Sequence, residues 1–227
     1  MKTIRKVAYL GLFLSLFFSN QIFAQRSLDA FDQVRATGNI EVFVQQGESE
    51  SIRIEAQGID EEDVSVKVKS GTLRLKLVKS LFYKNVKVKA YVTYRQLRGL
   101  RASAGATIEA NGVIEGDKVE LRAGSGSWIL ADLKTNTVEA TATEGGILKL
   151  RGTSSTQNTS VATGGQCDCE KLETQRAYVK ANTGGQAKVF VSEFLEASAN
   201  TGGGVKYAGN PRSIETKELM SGGVEKM

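Results

Sequence analysis

The sequence predicts an all-β chain, a parallel β-helix (β-solenoid) with a more irregular β part before it, and three observations carry that expectation. The first is a glycine step that returns from residue 103 to the C-terminus, as Ser103-Ala104-Gly105, Ser125-Gly126, Glu144-Gly145-Gly146, Thr163-Gly164-Gly165, Thr183-Gly184-Gly185, Thr201-Gly202-Gly203 and Ser221-Gly222-Gly223. Counting Gly105, Gly126, Gly145, Gly164, Gly184, Gly202 and Gly222 as the first glycine of each step, the separations are 21, 19, 19, 20, 18 and 20 residues. A self-similar period of that size marks a repeat architecture whose coils gain a core only by stacking on one another. The second is strict alternation of apolar and polar residues between Phe31 and Tyr94, the pattern of strands with one wet face. The third is punctuation: 24 glycines against a single proline, Pro211, fit a chain that turns by glycine.

The elements follow in chain order. Lys2, Arg5 and Lys6 precede an apolar run from Val7 to Phe18 and the short side chain Ala24, which reads as a secretory signal peptide over residues 1–24 with cleavage after Ala24. The run is too short for a comfortable membrane span. No cysteine stands near the cleavage site to receive a lipid. Residues 25–227 then form one domain, with Gln25 to Leu28 as a loose remnant. Ile40, Val42 and Val44, then Ile52, Ile54 and Ala56, then Val64, Val66 and Val68 mark inward faces of successive strands; Leu73, Leu75 and Leu77, then Val86, Val88, Ala90 and Val92 continue them. Gly38-Asn39, Gly47-Glu48, Gly58 and Ser70-Gly71 are the turns between them. Gly58 to Asp63 is the one stretch suited to a single helical turn. Leu81-Phe82-Tyr83 breaks the alternation and suits an exposed contact patch or, the slightly favoured reading, a cap over the solenoid end, where strand edges would otherwise stay unpaired.

Past Arg101, aligning the coils on the glycine step gives the facing of single residues. Leu148, Cys167, Ala187 and Val205 share one inward column, and Leu150, Cys169, Val189 and Tyr207 another. Lys149, Asp168, Lys188 and Lys206 lie between them and point to water, as period-2 alternation requires. Glycine suits the corner because stacked coils repeat it about 4.8 Å apart, which calls for positive φ or close backbone approach at each level. Asn182 and Asn200 before the step, and Gln166 and Gln186 after it, are expected to align as amide ladders that keep the corners in register.

The chemistry that such a chain can hold is bounded by what it lacks. It contains no histidine, which removes Ser-His-Asp and Cys-His catalysis and imidazole metal sites. No catalytic residue, metal ligand, cofactor or ligand-binding residue is assigned. The acidic cluster Asp60-Glu61-Glu62-Asp63 lacks the alternating ligand spacing of a calcium loop and reads as a solvated cap. Cys167 and Cys169, the two cysteines, are one residue apart on a strand. Extended, their Cα atoms stand about 6.6 Å apart, at the wide edge for a disulfide, and no second pair completes a zinc site. They read as small, reduced core residues. Trp128, the one tryptophan, belongs on an outer face, where it could stack on a sugar or be an ordinary exposed apolar residue. The net charge is +5, and removal of residues 1–24 takes three basic and no acidic residues, leaving +2. A nucleic-acid partner usually shows a basic stripe and a high domain pI. Here Lys and Arg alternate with apolar residues as on a solvated strand face, so no nucleic-acid partner is expected.

Several segments together resemble the head GIN domain family, a domain of unknown function described as an auto-transporter adhesin and common in secreted proteins of the Bacteroidetes. They are Phe31 with Val34, Gly38-Asn39-Ile40-Glu41-Val42, Gln46-Gly47, Gly71-Thr72-Leu73, Leu97 to Ala106 and the Ser/Thr-Gly repeats. The family's proline before the leucine of the Leu97 segment is replaced here by Arg95-Gln96. The resemblance implies a single-stranded, right-handed parallel β-helix with an irregular N-terminal β part, and no established activity. Together with the leader it gives the functional expectation. The chain is an exported, non-enzymatic module, in the periplasm, at the outer membrane or outside the cell, that recognises a glycan or an envelope or host protein through its polar faces. It takes no nucleic acid, keeps no membrane span after cleavage and has an end that permits oligomerisation. The alternatives are a carbohydrate-active enzyme on the same scaffold and a self-associating structural envelope protein.

Overall fold

The computed structural model describes residues 26–77 and 86–227. The signal peptide and the Leu81-Phe82-Tyr83 cap lie outside the described residues. Eight short strands come first: β1 (Arg26–Ser27), β2 (Gln33–Thr37), β3 (Glu41–Gln46), β4 (Ser51–Gln57), β5 (Val64–Lys69), β6 (Thr72–Leu77), β7 (Lys87–Tyr94) and β8 (Gly99–Ser103). One 3-10 turn, Glu61–Asp63, stands before β5, where a single helical turn was expected. Five long strands follow, β9 (Thr107–Ala123), β10 (Trp128–Thr143), β11 (Ile147–Ala162), β12 (Gln166–Asn182) and β13 (Gln186–Asn200), then β14 (Gly204–Ala208), β15 (Ser213–Leu219) and β16 (Gly223–Lys226).

From β9 onward each coil pairs in parallel with the next, β9 to β10, β10 to β11, β11 to β12 and β12 to β13. After β13 the coil divides, β14 continuing one wall and β15 the other. The chain is a β-solenoid. Its N-terminal part extends both walls. On one, β3 pairs in parallel with β9 and β7, and β4 and β1 add antiparallel strands beyond. On the other, β8, β2, β6 and β5 stack outward from β9 in that order. The first wall is called here the aromatic wall and the second the basic wall.

The inward columns are those expected. Leu148 pairs with Cys167, Cys167 with Ala187 and Ala187 with Val205, and all four are buried. Between them Lys149, Asp168, Lys188 and Lys206 line up and are exposed. Gln166 stands opposite Gln186, and Asn182 opposite Asn200. The core also holds polar residues that the periodicity did not foretell. Gln157 is fully buried; its amide donates to Thr159 Oγ1 at 2.7 Å and its Oε1 accepts from Thr174 at 3.2 Å. Among the described residues no buried side-chain oxygen or nitrogen is left without a partner, as the cost of an unmade buried hydrogen bond requires.

Each corner is a tight turn with two successive left-handed residues. Thr163 and Gly164 have φ of 50° and 71°, Thr183 and Gly184 47° and 71°, and the turn closes by Gly165 N donating to Ala162 O at 2.9 Å and Gly185 N to Asn182 O at 2.9 Å. This is the type I′ pattern. The expectation had placed the positive φ on glycine alone, whereas the first corner residue is Ala104, Ser125, Glu144, Thr163, Thr183, Thr201 or Met220. A backbone bond between levels holds the strained residue, as when Gly164 N donates to Thr183 O at 3.2 Å. The second glycine is needed for close packing between levels, since a Cβ on Gly185 would stand 2.6 Å from the Val161 carbonyl carbon in the coil below. The last corner corrects the repeat alignment by one residue. Met220 and Ser221 take the left-handed pair, so Gly222 occupies the close-packed place of Gly203, with Ala199 of the preceding coil against it.

Candidate functional site

The outer side of the aromatic wall carries a cluster assembled from three strands. Alternation turns Val42 and Val44 of β3 inward and leaves Phe43 outward, and in β7 it does the same for Tyr91 between Ala90 and Val92. Parallel pairing sets Phe43 opposite Tyr91, and their rings stack with centroids 5.3 Å apart and planes 20° from parallel. Arg53 of β4, opposite Tyr91 in the antiparallel register, lies with its guanidinium carbon 4.0 Å from the ring centroid. Glu55 holds both neighbours, through an ion pair to Arg53 and by accepting from the Tyr91 hydroxyl at 3.3 Å. Lys89 Nζ stands 5.9 Å from the centre of Phe43.

Beside this stack lies a depression of about 210 Å³ lined by Phe43, Gln45, Arg53, Tyr91, Thr93 and Asn111. It combines ring surface with two amides, two hydroxyls and a guanidinium. That mixture suits a small polar group with apolar C–H faces, such as a sugar ring or a peptide side chain. Trp128 stands on the same wall in the column that runs from Glu41 through Thr107, 38 % exposed, with Lys149 Nζ 5.4 Å from its ring. It is on an outer face, as expected, but outside the cluster.

The basic wall has its own set. Arg101 Nη2 lies 3.2 Å from Glu120, which also pairs with Arg122. The Arg122 guanidinium first, and then Arg101, hold the Glu120 carboxyl below the usual carboxylate range. Arg98 pairs with Asp32. Just after β7, Arg95 Nε donates to Glu50 Oε1, just before β4, at 2.9 Å, and that hydrogen bond lowers the Glu50 pKa.

The residues singled out from sequence lie elsewhere. Cys167 and Cys169 are free and buried, their sulfurs 2.8 Å apart inside the core. Burial first, then the neighbouring thiol, pushes the Cys169 thiol well above its ordinary value, which leaves it a poor nucleophile. Asp60, Glu61 and Glu62 are exposed, with Asp63 half-buried, and no group of three metal-binding side chains occurs among the described residues. Sequence reasoning missed Phe43 and Tyr91, whose signal was an aromatic at the wet phase of an otherwise regular strand.

Comparison with known proteins agrees with this architecture. Residues 30–211 match the family described as "Putative auto-transporter adhesin, head GIN domain". No curated protein matches the chain. Among solved structures, the chain is similar to a putative adhesin of Bacteroides fragilis, at 16% identity and TM-score 0.76 over 90% of this chain and 95% of that one. It is similar to a putative adhesin of Parabacteroides merdae, at 17% and 0.68 over 90% and 95%. A third, described as a putative lipid binding protein of Parabacteroides distasonis, aligns at 16% and 0.64 over 90% and 96%. Likeness at such identities speaks for the fold, while the family match spans most of the sequence. The chain belongs to the head GIN domain family.

Proposed function

We propose that the protein is an exported, non-enzymatic recognition module that binds a glycan or an envelope or host protein through the aligned polar columns of its solenoid walls. The observation that carries this reading is the Phe43–Tyr91 stack with Arg53 over it, beside a depression edged by amides. An aromatic pair kept half-exposed at the wet phase of two strands adds nothing to the core, yet it offers a rigid surface that loses little entropy on binding. The adhesin description of the family and of two structural relatives supports the reading. Among the described residues no helix is long and apolar enough to cross a membrane.

A glycan and envelope-protein screen with the purified protein tests it. Binding to at least one ligand without chain cleavage is expected, and Tyr91→Ala weakens that binding about tenfold, the worth of one aromatic contact with its cation. A melting curve shows whether the variant keeps its fold. Depolymerisation of a polysaccharide by the protein, or a folded Tyr91→Ala that binds every ligand as the parent does, contradicts the proposal.

A further inference from the structure

The second wall carries a row of cations that the strand order builds and the chain order conceals. Lys67 of β5 stands opposite Arg74 of β6, Arg74 opposite Arg35 of β2, Arg35 opposite Arg101 of β8, and Arg101 opposite Arg122 of β9. All five are exposed. At about 4.8 Å between strands the row runs about 19 Å. Like charges set directly opposite each other on a sheet are destabilising, so a structural column avoids this arrangement. The outer column of the other wall does so in part: Asp168 separates Lys149 from Lys188 and Glu225 follows Lys206, so its longest like-charge run is the single Lys188–Lys206 pair. The same basic row, continued into the later coils, becomes Thr141, Ser160, Lys180, Ser198 and Lys217, in which neutral residues separate the charges.

Neutralisation stops part of the way along. Glu120 serves Arg101 and Arg122. Among the described residues Arg35, Arg74 and Lys67 make no ion pair, and the undescribed segments contain no Asp or Glu to supply one. Beside them runs a groove of about 190 Å³ lined by Gln33, Arg35, Thr72 and Arg74, with the paired Arg101 and Glu120 also on its lining. Gly99 lies opposite Gln33 and Glu120, and the Gln33 side chain and the Glu120 carbonyl oxygen close over it, at 3.5 Å and 3.3 Å from where a Cβ would stand. A guanidinium presents a planar fork that meets carboxylate, sulfate or phosphate oxygens two at a time. Two unpaired forks, Arg35 and Arg74, in line with the Lys67 ammonium and beside the Gln33 amide and the Thr72 hydroxyl, make a linear anion receptor.

We propose that this groove, continued by Lys67 at the end of the row, binds a linear acidic polysaccharide, its successive carboxylate or sulfate groups seated along Arg35, Arg74 and Lys67. The proposal deepens the recognition role given above, naming the ligand class and a wall distinct from the Tyr91 cluster. A membrane-surface site would set its cations beside exposed apolar side chains, and among the described residues none of the large exposed apolar side chains stands on the five strands of this row except Val113 of β9, outside it. Single-stranded nucleic acid would call for aromatic stacking platforms, and the row has none.

The test uses the purified protein with dextran sulfate and polygalacturonate as polyanions, uncharged dextran as control, vesicles of phosphatidylglycerol and phosphatidylcholine, and a single-stranded oligodeoxynucleotide. At least one acidic polysaccharide is expected to bind at low ionic strength and to weaken steeply with salt. Arg35→Ala with Arg74→Ala reduces that affinity at least tenfold, Arg35→Lys with Arg74→Lys loses less, and Lys188→Ala with Lys206→Ala on the other wall, which removes the same net charge, changes it by less than about twofold. Failure of both polyanions, tighter binding of vesicles or oligonucleotide, or equal loss in the Lys188/Lys206 variant overturns the proposal. A neutral or protein ligand found in the screen and lost in Tyr91→Ala but retained in Arg35→Ala/Arg74→Ala would leave the general role standing while this one fell.

Discussion

Gly185→Ala lowers the melting temperature by about 8–16 °C or more, whereas Gly184→Ala lowers it by only about 2–8 °C, at least twofold less. The two glycines are adjacent and differ in what they do. Gly184 sits at φ 71° with open space around its missing Cβ, so alanine there meets only the left-handed penalty of about 1–2 kcal/mol. Gly185 has no such φ, but its Cβ would fall 2.6 Å from the carbonyl carbon and oxygen of Val161 and 2.8 Å from the nitrogen of Ala162. Backbone cannot swing aside as a side-chain tip can. Two coils must part, and their ladder with them, at a cost of about 4 kcal/mol or more. For a domain of this size each kcal/mol moves the midpoint by about 2–4 °C. Thermal melts of the two single variants decide the matter. Equal shifts would mean that the second glycine is not a packing residue.

Leu148→Ala is the second large effect. Leu148 is fully buried and lies between Ile129 in the coil before and Cys167 in the coil after. Its removal leaves a cavity walled by two levels of strand that are tied by their own hydrogen bonds and cannot collapse inward. The upper part of the Leu→Ala range applies, about 3–5 kcal/mol. Because a solenoid is held by contacts between neighbours, the loss at one level weakens the coupling of the coils on either side. Urea titration followed by circular dichroism is expected to show a lower midpoint and a broader transition. A loss below about 1 kcal/mol would place Leu148 outside a packed column.

How much of this was legible in the sequence depends on whether chain order and spatial order coincide. From β9 onward they do. Each coil lies on the one before, so a shift of one period carried Cys167 onto Ala187 and Asp168 onto Lys188. The corner was legible as a place but not in its parts, because Thr or Ser before glycine looks like any turn and gives no sign that it holds φ near 50°. At the last step the absence of a first glycine let Ser221-Gly222 pass for Thr201-Gly202. The candidate sites were hidden for the opposite reason. Phe43 and Tyr91 are 48 residues apart and come together through the pairing of β3 with β7. The basic row needs β5, β6, β2, β8 and β9 in an order the chain does not visit. Alternation gives each of these strands its inner and outer face, but not its neighbour.

The recognition roles of both walls rest on side chains one winding apart lying directly opposite each other, and a pair of cysteines reads that spacing. In a background with Cys167→Ala and Cys169→Val, which are the residues of the next coil's columns at Ala187 and Val189, Asp168→Cys and Lys188→Cys are introduced together. Parallel strands hold such partners about 4.8 Å apart at Cα, within disulfide range, while Asp168→Cys with Lys206→Cys spans two windings and lies beyond it. Mass spectrometry of unreduced peptides is predicted to find the 168–188 bond within single molecules in the folded protein and no 168–206 bond. A 168–206 bond, or two free thiols at 168 and 188 after mild oxidation of the folded protein, would contradict the stacking and the surfaces built on it.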